Sequence, residues 1–419
     1  MPFSSRARFL IAGLAALAVA ALTVNRASAE AQLLIEASTG KVLHAENATY
    51  PWYPASVTKL MTTYTTLRAI KEGRVSMNTL LTVSRNAAAM PPTHMGFRPG
   101  TTVTVDNALK MLLVKSANDM AVVIAEGVGG SIEGFADMMN ANARRLGMTQ
   151  SNFVNPNGLP AEGHVTSARD LAILARALIT EFPDYDYLWH IHAIQYGNRV
   201  IHNYNTLLDR YPGADGMKTG FICASGYNMV ASATRNGRRL IAVVLGAWSG
   251  GARAQKAAQL LERGFNGNGL SWLTPSLGTV DALTPIEAQP PNLREEMCGG
   301  HRRKPPSEDN DEEEDGPATA SASGTENGDN GTQAFMLSNL KPAAGKFVLG
   351  PAVETETPIR VFTGPADHPD AVQSASAPKK KKKKAVASTE GASHDAGEAK
   401  PEKKTAKKTP KPKVSSTSQ

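Results

Sequence analysis

Cysteine and aromatic residues are both scarce in this chain of 419 residues. Cys223 and Cys298 are its two cysteines, which excludes a disulfide-rich miniprotein and a zinc module with four cysteine ligands. Aromatic residues make up 6% of the chain, beside 36 glycines and 26 prolines, so we expect part of it to lie outside any packed core. The hydrophobic fraction of 41% still provides a sizeable core.

The body of the chain also lacks an excess of basic residues. The formal net charge is +7, but the segment Ser374–Gln419 alone contains 13 lysines and 4 acidic residues. The remaining chain therefore has a charge near −2, and we expect no nucleic-acid partner. The lysine-rich tail, with its six consecutive lysines at 379–384, is typical of a solvated, disordered segment. Weak electrostatic contact with an anionic wall or membrane surface is the functional alternative.

Long apolar runs are absent except at the N-terminus. Arg6 and Arg8 precede the apolar run 9–24, and Ala27-Ser28-Ala29 supplies a small-residue cleavage pattern. This order is typical of a secretory signal peptide, and the run is shorter than the roughly 20 residues that span a bilayer. We expect residues 1–29 to be removed and the mature chain to reach the periplasm or cell envelope.

Helices are predicted in the middle of the chain and strands on both sides of them. The strand patterns are 32–37, 41–46, 217–222, 226–234 and 238–247, and the helical patterns are 56–71, two segments within 106–127, 131–146, 167–182 and 252–265. Asn236-Gly237 lies between the last two strands and is the preferred two-residue hairpin turn. This arrangement predicts an α+β (α/β) fold: one antiparallel sheet built from both ends of the chain, with a helical lobe inserted.

The composition changes after the last of these helices. Seven of the eight residues from Glu308 to Asp315 are acidic, and a stretch rich in Ser, Gly, Asn and Thr follows. We predict a signal peptide (1–29), a catalytic domain (30–272), an acidic low-complexity linker (273–333), a short β segment (334–373) and a lysine-rich disordered tail (374–419).

Three short motifs occur in a fixed order along the predicted catalytic domain. They are Ser56-Val57-Thr58-Lys59, Ser116-Ala117-Asn118 and Lys218-Thr219-Gly220. Ser-x-x-Lys also occurs at Ser38, Ser338 and Ser376, but only the copy at Ser56 opens a strong helical pattern. The predicted helix therefore identifies Ser56 and Lys59 as the copy most suited to catalysis.

The spacing of the first motif suits nucleophilic catalysis. Residues i and i+3 share one helix face, so Lys59 can reach the hydroxyl of Ser56 and act as its base. A lysine is a base only in its neutral form, which a helix N-terminus and a second cation, such as Lys218, would both favour. Lys218 on a strand edge can itself bind a substrate carboxylate, Thr219 adds a hydroxyl, and Gly220 lets a peptide lie against the strand.

These motifs together resemble the penicillin-recognising serine hydrolases, and most narrowly the low-molecular-mass D-alanyl-D-alanine carboxypeptidases of peptidase family S11. The matching stretches are 54–62, 112–119, 152–159, 202–208 and 215–221, and the similarity covers about residues 30–270. The resemblance implies the β-lactamase/transpeptidase-like fold, a five-stranded antiparallel sheet with flanking helices and a helical lobe. The C-terminus departs from many relatives, because no amphipathic membrane-binding helix is visible there.

The resemblance also implies a role for each site residue. Ser56 would be acylated by a stem peptide ending in D-Ala-D-Ala, or by a β-lactam, with Lys59 as base and Ser116 as proton relay. Asn118 would hold the substrate's peptide bond, Lys218 and Thr219 would bind its terminal carboxylate, and Gly220 would let it lie against the strand. The backbone N–H groups of Ser56 and Phe221 would form the oxyanion hole.

Several alternatives remain open at this point. A β-lactamase would need a deacylating glutamate, for which Glu162 is the nearest candidate. A DD-endopeptidase could use the same residues, and a non-catalytic wall-binding protein could hold peptidoglycan in the same cleft. We expect no metal and no cofactor, since His190/His192 is the closest approach to a ligand spacing. The residues leave open whether Cys223 and Cys298 pair.

Overall fold

The structure is a computed structural model that describes residues 30–267, 276–300, 349–353 and 356–367. These residues all belong to a compact unit that ends at Ala375. The predicted signal peptide, the acidic run and the lysine-rich tail lie outside the described residues. Within the part that is described, no helix combines the length and the hydrophobicity needed to cross a bilayer.

Short strands alternate with helices along the described chain. The strands are β1 (Ala31–Glu36), β2 (Val42–Glu46), β3 (Pro51–Trp52), β4 (Leu80–Thr82), β5 (Thr102–Thr104), β6 (Thr166–Ser167), β7 (Ala193–Tyr196), β8 (Arg199–His202), β9 (Ala214–Ile222), β10 (Gly226–Arg235), β11 (Arg238–Ala247) and β12 (Ile359–Val361). The α-helices are α1 (Lys59–Lys71), α2 (Arg85–Ala88), α3 (Val105–Val114), α4 (Asn118–Gly129), α5 (Ile132–Leu146), α6 (Ala168–Glu181), α7 (Leu207–Arg210), α8 (Gly250–Phe265) and α9 (Arg294–Cys298). Short 3₁₀ helices occupy Ala55–Thr58, Pro183–Trp189 and Val280–Ala282.

The main sheet confirms the predicted antiparallel arrangement. Its order is β2-β1-β11-β10-β9, so the two N-terminal strands pair with the C-terminal hairpin through β1 and β11. Ile241 and Val243 of β11 pack into one hydrophobic cluster, while Leu240 and Ala242 pack into another on the opposite face. This alternation follows from the period of two of a strand, and it buries the centre of the sheet on both faces. β9 is left as an edge strand.

Helix starts follow the predicted capping residues. Ser131 accepts a hydrogen bond from the Gly134 N–H at the start of α5, and Ser167 accepts one from the Asp170 N–H at the start of α6. Each cap satisfies a backbone donor that the helix itself cannot pair. The inserted lobe therefore forms helices where its local sequence predicts them.

The first predicted helix differs in its opening turn. The apolar spacing predicts a helix from Ser56 to Lys71, whereas the structure has a 3₁₀ helix over Ala55–Thr58 before α1 begins at Lys59. In a 3₁₀ helix, side chains at i and i+3 are eclipsed, because there are three residues per turn. The tighter turn therefore brings the side chain of Lys59 directly over that of Ser56.

The segment after the predicted domain boundary at residue 272 packs against the sheet. Val280 is fully buried, and its N–H donates to the Gly40 carbonyl at 2.8 Å. The N–H of Leu293 donates to the Ala224 carbonyl at 3.0 Å. The boundary itself stays a prediction, but described residues 276–300 contribute to the same globular surface as the strands.

Cys223 and Cys298 form a disulfide, which resolves the pairing that the sequence left open. Their Cα atoms are 5.7 Å apart, although 75 positions separate them in the sequence. The bond joins the turn after β9 to the end of α9. It therefore fixes α9 beside the edge of the main sheet.

The predicted β segment at 334–373 contains one described strand. Residues 359–361 form β12, which pairs in parallel with β7 in a small sheet of order β12-β7-β8. Residues 334–348 lie outside the described part of the chain. The described strand packs on the helical lobe and not on the main sheet.

Candidate active site

Ser56 is held on a short turn that the main sheet supports. The preceding residue, Ala55, has a φ of +50°, a conformation that non-glycine residues rarely adopt. The side-chain amide of Asn228 on β10 donates to the carbonyls of Tyr53 at 2.9 Å and Pro54 at 3.1 Å. These bonds fix the approach to the turn, so the half-buried Ser56 hydroxyl has a defined position.

Lys59 is the most unusual charged residue of the site, since its side chain is completely buried. Its Nζ lies 2.9 Å from Ser56 Oγ, 2.8 Å from Asn118 Oδ1 and 2.7 Å from the Asn157 carbonyl oxygen. The last two partners can only accept hydrogen bonds. A neutral amine that donates its two N–H groups to them directs its lone pair at Ser56, which is the orientation a general base requires.

Ser116 lies in the short connection between α3 and α4, and Asn118, a partner of Lys59, is the first residue of α4. Ser116 is buried and has a φ of +59°. The Thr93 hydroxyl donates to the Ser116 carbonyl at 2.8 Å, and the Asn118 N–H donates to the Thr93 carbonyl at 2.7 Å. The loop that contains Thr93 therefore holds both residues in place.

Strand β9 passes against the turn that contains Ser56. A Cβ atom built on Gly220 would lie 2.7 Å from the Ser56 amide nitrogen and 2.9 Å from that of Val57. Such distances are shorter than any real Cβ contact, so only glycine fits at position 220. Lys218 and Thr219 precede it on the same strand and are both almost fully buried.

Two buried hydroxyl groups of the site have no hydrogen-bond partner within the described part of the chain. They belong to Ser116, which lies between α3 and α4, and to Thr219 on β9. Leaving a buried hydroxyl unpaired costs about 1–3 kcal/mol, so such groups normally have a ligand or water as partner. Their placement is typical of a cleft that binds a polar substrate.

His164 supports the Ser56 turn from behind. Its Nδ1 accepts the Val154 N–H at 2.9 Å, so its Nε2–H is the group that donates to the Thr58 hydroxyl, also at 2.9 Å. Burial lowers the pKa of His164 to about 4, because an imidazolium would lose its hydration there. The ring is therefore neutral at physiological pH.

The structure brings several of the predicted site residues into contact. Ser56, Lys59 and Asn118 are brought into direct contact, and Gly220 packs on Ser56. The Nζ of Lys218 donates to the Thr219 carbonyl at 2.9 Å. The contact of Lys218 with a substrate carboxylate stays a prediction.

Sequence reasoning missed the roles of Asn157, Asn228 and His164. The signal for Asn157 was present in the Asn-Pro-Asn-Gly turn at 155–158, where Gly158 has a φ of +85° and lies against the Ala55 carbonyl. No local pattern indicates Asn228 or His164, because both act on residues more than 100 positions away.

Among the described residues, no group of three or more His, Cys, Asp or Glu side chains is placed to hold a metal ion. Glu162, the candidate for a β-lactamase role, is exposed on the loop after Gly158. No hydrogen bond to Ser56 or Lys59 involves its side chain in the described part of the chain. The groups that meet at the Lys59 amine are a serine hydroxyl, an amide side-chain oxygen and a backbone carbonyl.

The comparisons with known proteins agree with this chemistry. A family model described as D-alanyl-D-alanine carboxypeptidase, peptidase S11, matches residues 18–249. The D-alanyl-D-alanine carboxypeptidase DacF of Bacillus subtilis is 37% identical over 245 residues, which are 57% of this chain and 62% of the relative. The chain thus spans less than two thirds of the length of that relative.

Solved structures of penicillin-binding proteins have the same fold. Penicillin-binding protein 5 from Haemophilus influenzae gives a TM-score of 0.55 at 32% identity, covering 58% of this chain and 73% of that one. Penicillin-binding protein D2 from Listeria monocytogenes, solved in an ampicillin-bound form, gives 0.52 at 30% identity, covering 56% and 96%. Both alignments confirm the predicted serine β-lactamase/transpeptidase-like architecture.

Proposed function

The chain belongs to the peptidase S11 family of D-alanyl-D-alanine carboxypeptidases, and we propose that it removes the terminal D-Ala from peptidoglycan stem peptides ending in D-Ala-D-Ala. The observation that carries this proposal is the contact of the buried Lys59 amine with Ser56, together with the bonds of that amine to two fixed oxygens. A serine next to a buried amine is an activated nucleophile.

Acylation begins with the attack of Ser56 Oγ on the carbonyl carbon of the penultimate D-Ala. Lys59 Nζ takes the hydroxyl proton as the new C–O bond forms. The developing oxyanion is stabilised by the backbone N–H groups of Ser56 and Phe221, and donors of this kind typically contribute about 3–4 kcal/mol each. The close approach of β9 to the Ser56 turn supports this pairing, because it brings the backbone of Ser56 beside the strand that contains Phe221.

Collapse of the tetrahedral intermediate breaks the bond to the terminal D-Ala. The proton on Lys59 reaches the leaving amine through the Ser116 hydroxyl, and Asn118 holds the substrate's peptide bond. Water then hydrolyses the ester, which releases the shortened peptide and restores the Ser56 hydroxyl. The buried hydroxyl of Ser116 has no hydrogen-bond partner among the residues that the structure describes. This supports its role as a relay, since a hydroxyl can both donate and accept.

The substrate's terminal carboxylate is bound by Lys218 and Thr219. The peptide extends along the free edge of β9, where backbone hydrogen bonds provide affinity. A β-lactam presents an amide carbonyl and a carboxylate in a similar relation, so the same residues form a covalent penicilloyl ester on Ser56. The ampicillin-bound relative supports this assignment.

Release of free D-Ala from a pentapeptide ending in D-Ala-D-Ala tests the activity. Ser56→Ala is expected to abolish both D-Ala release and covalent labelling by penicillin while it leaves the fold intact. Ser38→Ala is the matched control, because Ser38 belongs to another Ser-x-x-Lys copy, in the turn between β1 and β2. Labelling of the Ser56→Ala protein would contradict the assignment. A cross-linked dimer cleaved faster than the pentapeptide would indicate an endopeptidase.

We further propose that the protein works in the periplasm or cell envelope and that its lysine-rich tail contacts anionic wall or membrane surfaces. The proposal rests on composition: a signal-peptide pattern at 1–29 and 13 lysines after residue 373. Each lysine near an anionic surface contributes roughly 1 kcal/mol, and salt at 0.1 M screens this over about 10 Å. Removal of residues 378–419 is expected to weaken binding to isolated cell-wall sacculi at low salt only.

A further inference from the structure

A pocket opens beside the Ser56 turn, at the C-terminal end of β9. Its volume is about 320 Å³, and the residues that line it include Ala55, Leu159, Ile222 and Ala224. Ala55 precedes Ser56, and Ile222 is the last residue of β9. The pocket therefore adjoins the proposed cleft on the side away from Lys218 and Thr219.

The direction of the bound peptide places this pocket on the acyl side of the scissile bond. In the proposed function, the substrate carboxylate lies at Lys218 and Thr219, and the scissile carbonyl lies at the Phe221 N–H. The peptide thus runs antiparallel to β9, so the residues before the scissile bond pass over Ile222. The side chain of the residue that precedes D-Ala-D-Ala is then the one within reach of the pocket.

Two charged side chains from separate segments line this pocket. Glu162 comes from the loop after Gly158, and Arg294 is the first residue of α9. Both are exposed, and neither has an ion pair or a side-chain hydrogen bond with another residue in the described part of the chain. An unpaired acid and an unpaired base in one pocket suit a ligand that itself carries both charges.

The wall that contains Arg294 is held in place by three independent contacts. The Leu293 N–H bonds to the Ala224 carbonyl, the buried Met297 side chain lies against Gly226, and the disulfide joins Cys298 to Cys223. This wall lies beyond residues 18–249, which the family model matches. The wall is therefore contributed by the segment that follows the matched residues.

We propose that Glu162 and Arg294 select stem peptides whose residue before D-Ala-D-Ala ends in both an ammonium and a carboxylate group, as in meso-diaminopimelate. Glu162 binds the ammonium and Arg294 binds the carboxylate. The inference rests on the proposed function, since the direction of the peptide follows from the roles assigned there. Charge-assisted hydrogen bonds to both ends fix the side chain in the pocket.

Four matched substrates test this specificity. They are Nα-acetyl-X-D-Ala-D-Ala peptides in which X is meso-diaminopimelate, L-lysine, L-α-aminopimelate or L-norleucine. Lysine lacks only the distal carboxylate of diaminopimelate, aminopimelate lacks only the ammonium, and norleucine lacks both. The wild-type protein is expected to show a kcat/KM for D-Ala release that is about tenfold higher for diaminopimelate than for lysine or aminopimelate, equivalent to ~1.4 kcal/mol for each group.

Charge-neutral variants assign each group to its partner. Arg294→Gln is expected to remove the preference for diaminopimelate over lysine, and Arg294→Lys to restore part of it. Glu162→Gln is expected to remove the preference for diaminopimelate over aminopimelate. Glu296→Gln is the matched control, because Glu296 is exposed on the same helix as Arg294 but does not line the pocket.

Each outcome of this experiment bears on a different claim. Equal kcat/KM for the four peptides in the wild-type protein would overturn the inference and leave the proposed function standing. A fall shared equally by all four peptides in Arg294→Gln or Glu162→Gln would also overturn it, because a structural defect has no reason to depend on X. Absence of D-Ala release from every peptide would overturn the proposed function, and the inference with it.

Discussion

A Cβ atom on Gly220 would lie 2.7 Å from the backbone nitrogen of Ser56. The edge strand and the nucleophile turn are thus packed backbone to backbone. Any side chain at position 220 must push them apart. The relative position of the two proposed oxyanion donors, one on each element, depends on this contact.

Gly220→Ala is expected to lower the rate of acylation by penicillin about 100-fold or more. A displacement near 1 Å in a catalytic arrangement typically costs that factor, and overpacking also destabilises by about 1–3 kcal/mol. Stopped-flow labelling and thermal melting measure the two effects separately. Gly300→Ala is the control, since a Cβ there meets no atom within 4 Å. An unchanged labelling rate in Gly220→Ala would contradict the prediction, because it would show that acylation does not depend on the close packing of β9 against the Ser56 turn.

Lys218→Ala is expected to raise KM for peptides with a free C-terminal carboxylate by about tenfold to a hundredfold. A charge-assisted bond to a carboxylate contributes ~1.5–3 kcal/mol, and the corresponding C-terminal amides lack that charge. Steady-state kinetics on each acid and its amide give the comparison. If acid and amide lose equally, Lys218 acts on the site's overall electrostatics and not on the carboxylate.

His164 is expected to make stability fall as the pH drops from 6.5 towards 4. Its pKa is lowered to about 4 in the folded protein, against an ordinary value of 6.5, so the unfolded chain takes up a proton in this range before the folded one does. The stabilisation is complete above pH 6.5, and up to roughly 3 kcal/mol is lost by pH 4.

Urea unfolding of His164→Asn between pH 4 and 8 measures this contribution. The variant retains a carbonyl oxygen that can accept the Val154 N–H, but it cannot titrate. Its free energy of unfolding is expected to depend less on pH than that of the wild type. The exposed His202→Asn is the control. If the free energy of unfolding depends on pH in the same way in the wild type and in His164→Asn, the buried imidazole is not the cause of the loss of stability at low pH.

Loss of the Cys223–Cys298 disulfide is expected to destabilise the protein by up to roughly 4 kcal/mol. The bond closes a loop with a sequence separation of 75, and the chain-entropy model gives this magnitude for such a loop. The Cys223→Ala/Cys298→Ala double variant should melt at the same temperature with and without reductant, whereas the wild type should melt lower when reduced. A chain cut after residue 375 keeps both cysteines and serves as the control. Identical melting of the reduced and oxidised wild type would contradict the prediction.

Much of the fold was predictable because it depends on near neighbours in the chain. The caps at Ser131 and Ser167 each bond an N–H three residues on, and the Asn236-Gly237 turn alone joins β10 to β11. The i, i+3 spacing of Ser56 and Lys59 places them together on any helical turn. Ordered motifs also indicated the family, since their residue types are tied to one kind of chemistry.

The tertiary structure decided what depends on residues far apart in the sequence. It made the Ser56 turn a 3₁₀ helix, gave Lys59 the Asn157 carbonyl as a partner, paired Cys223 with Cys298, and brought Arg294 to the same pocket as Glu162. No local pattern encodes these contacts, because the free energy of each comes from packing and hydrogen bonds between separate elements. The motifs therefore indicate the chemistry, while the packing of the sheet, the lobe and the C-terminal segment sets the geometry of the cleft.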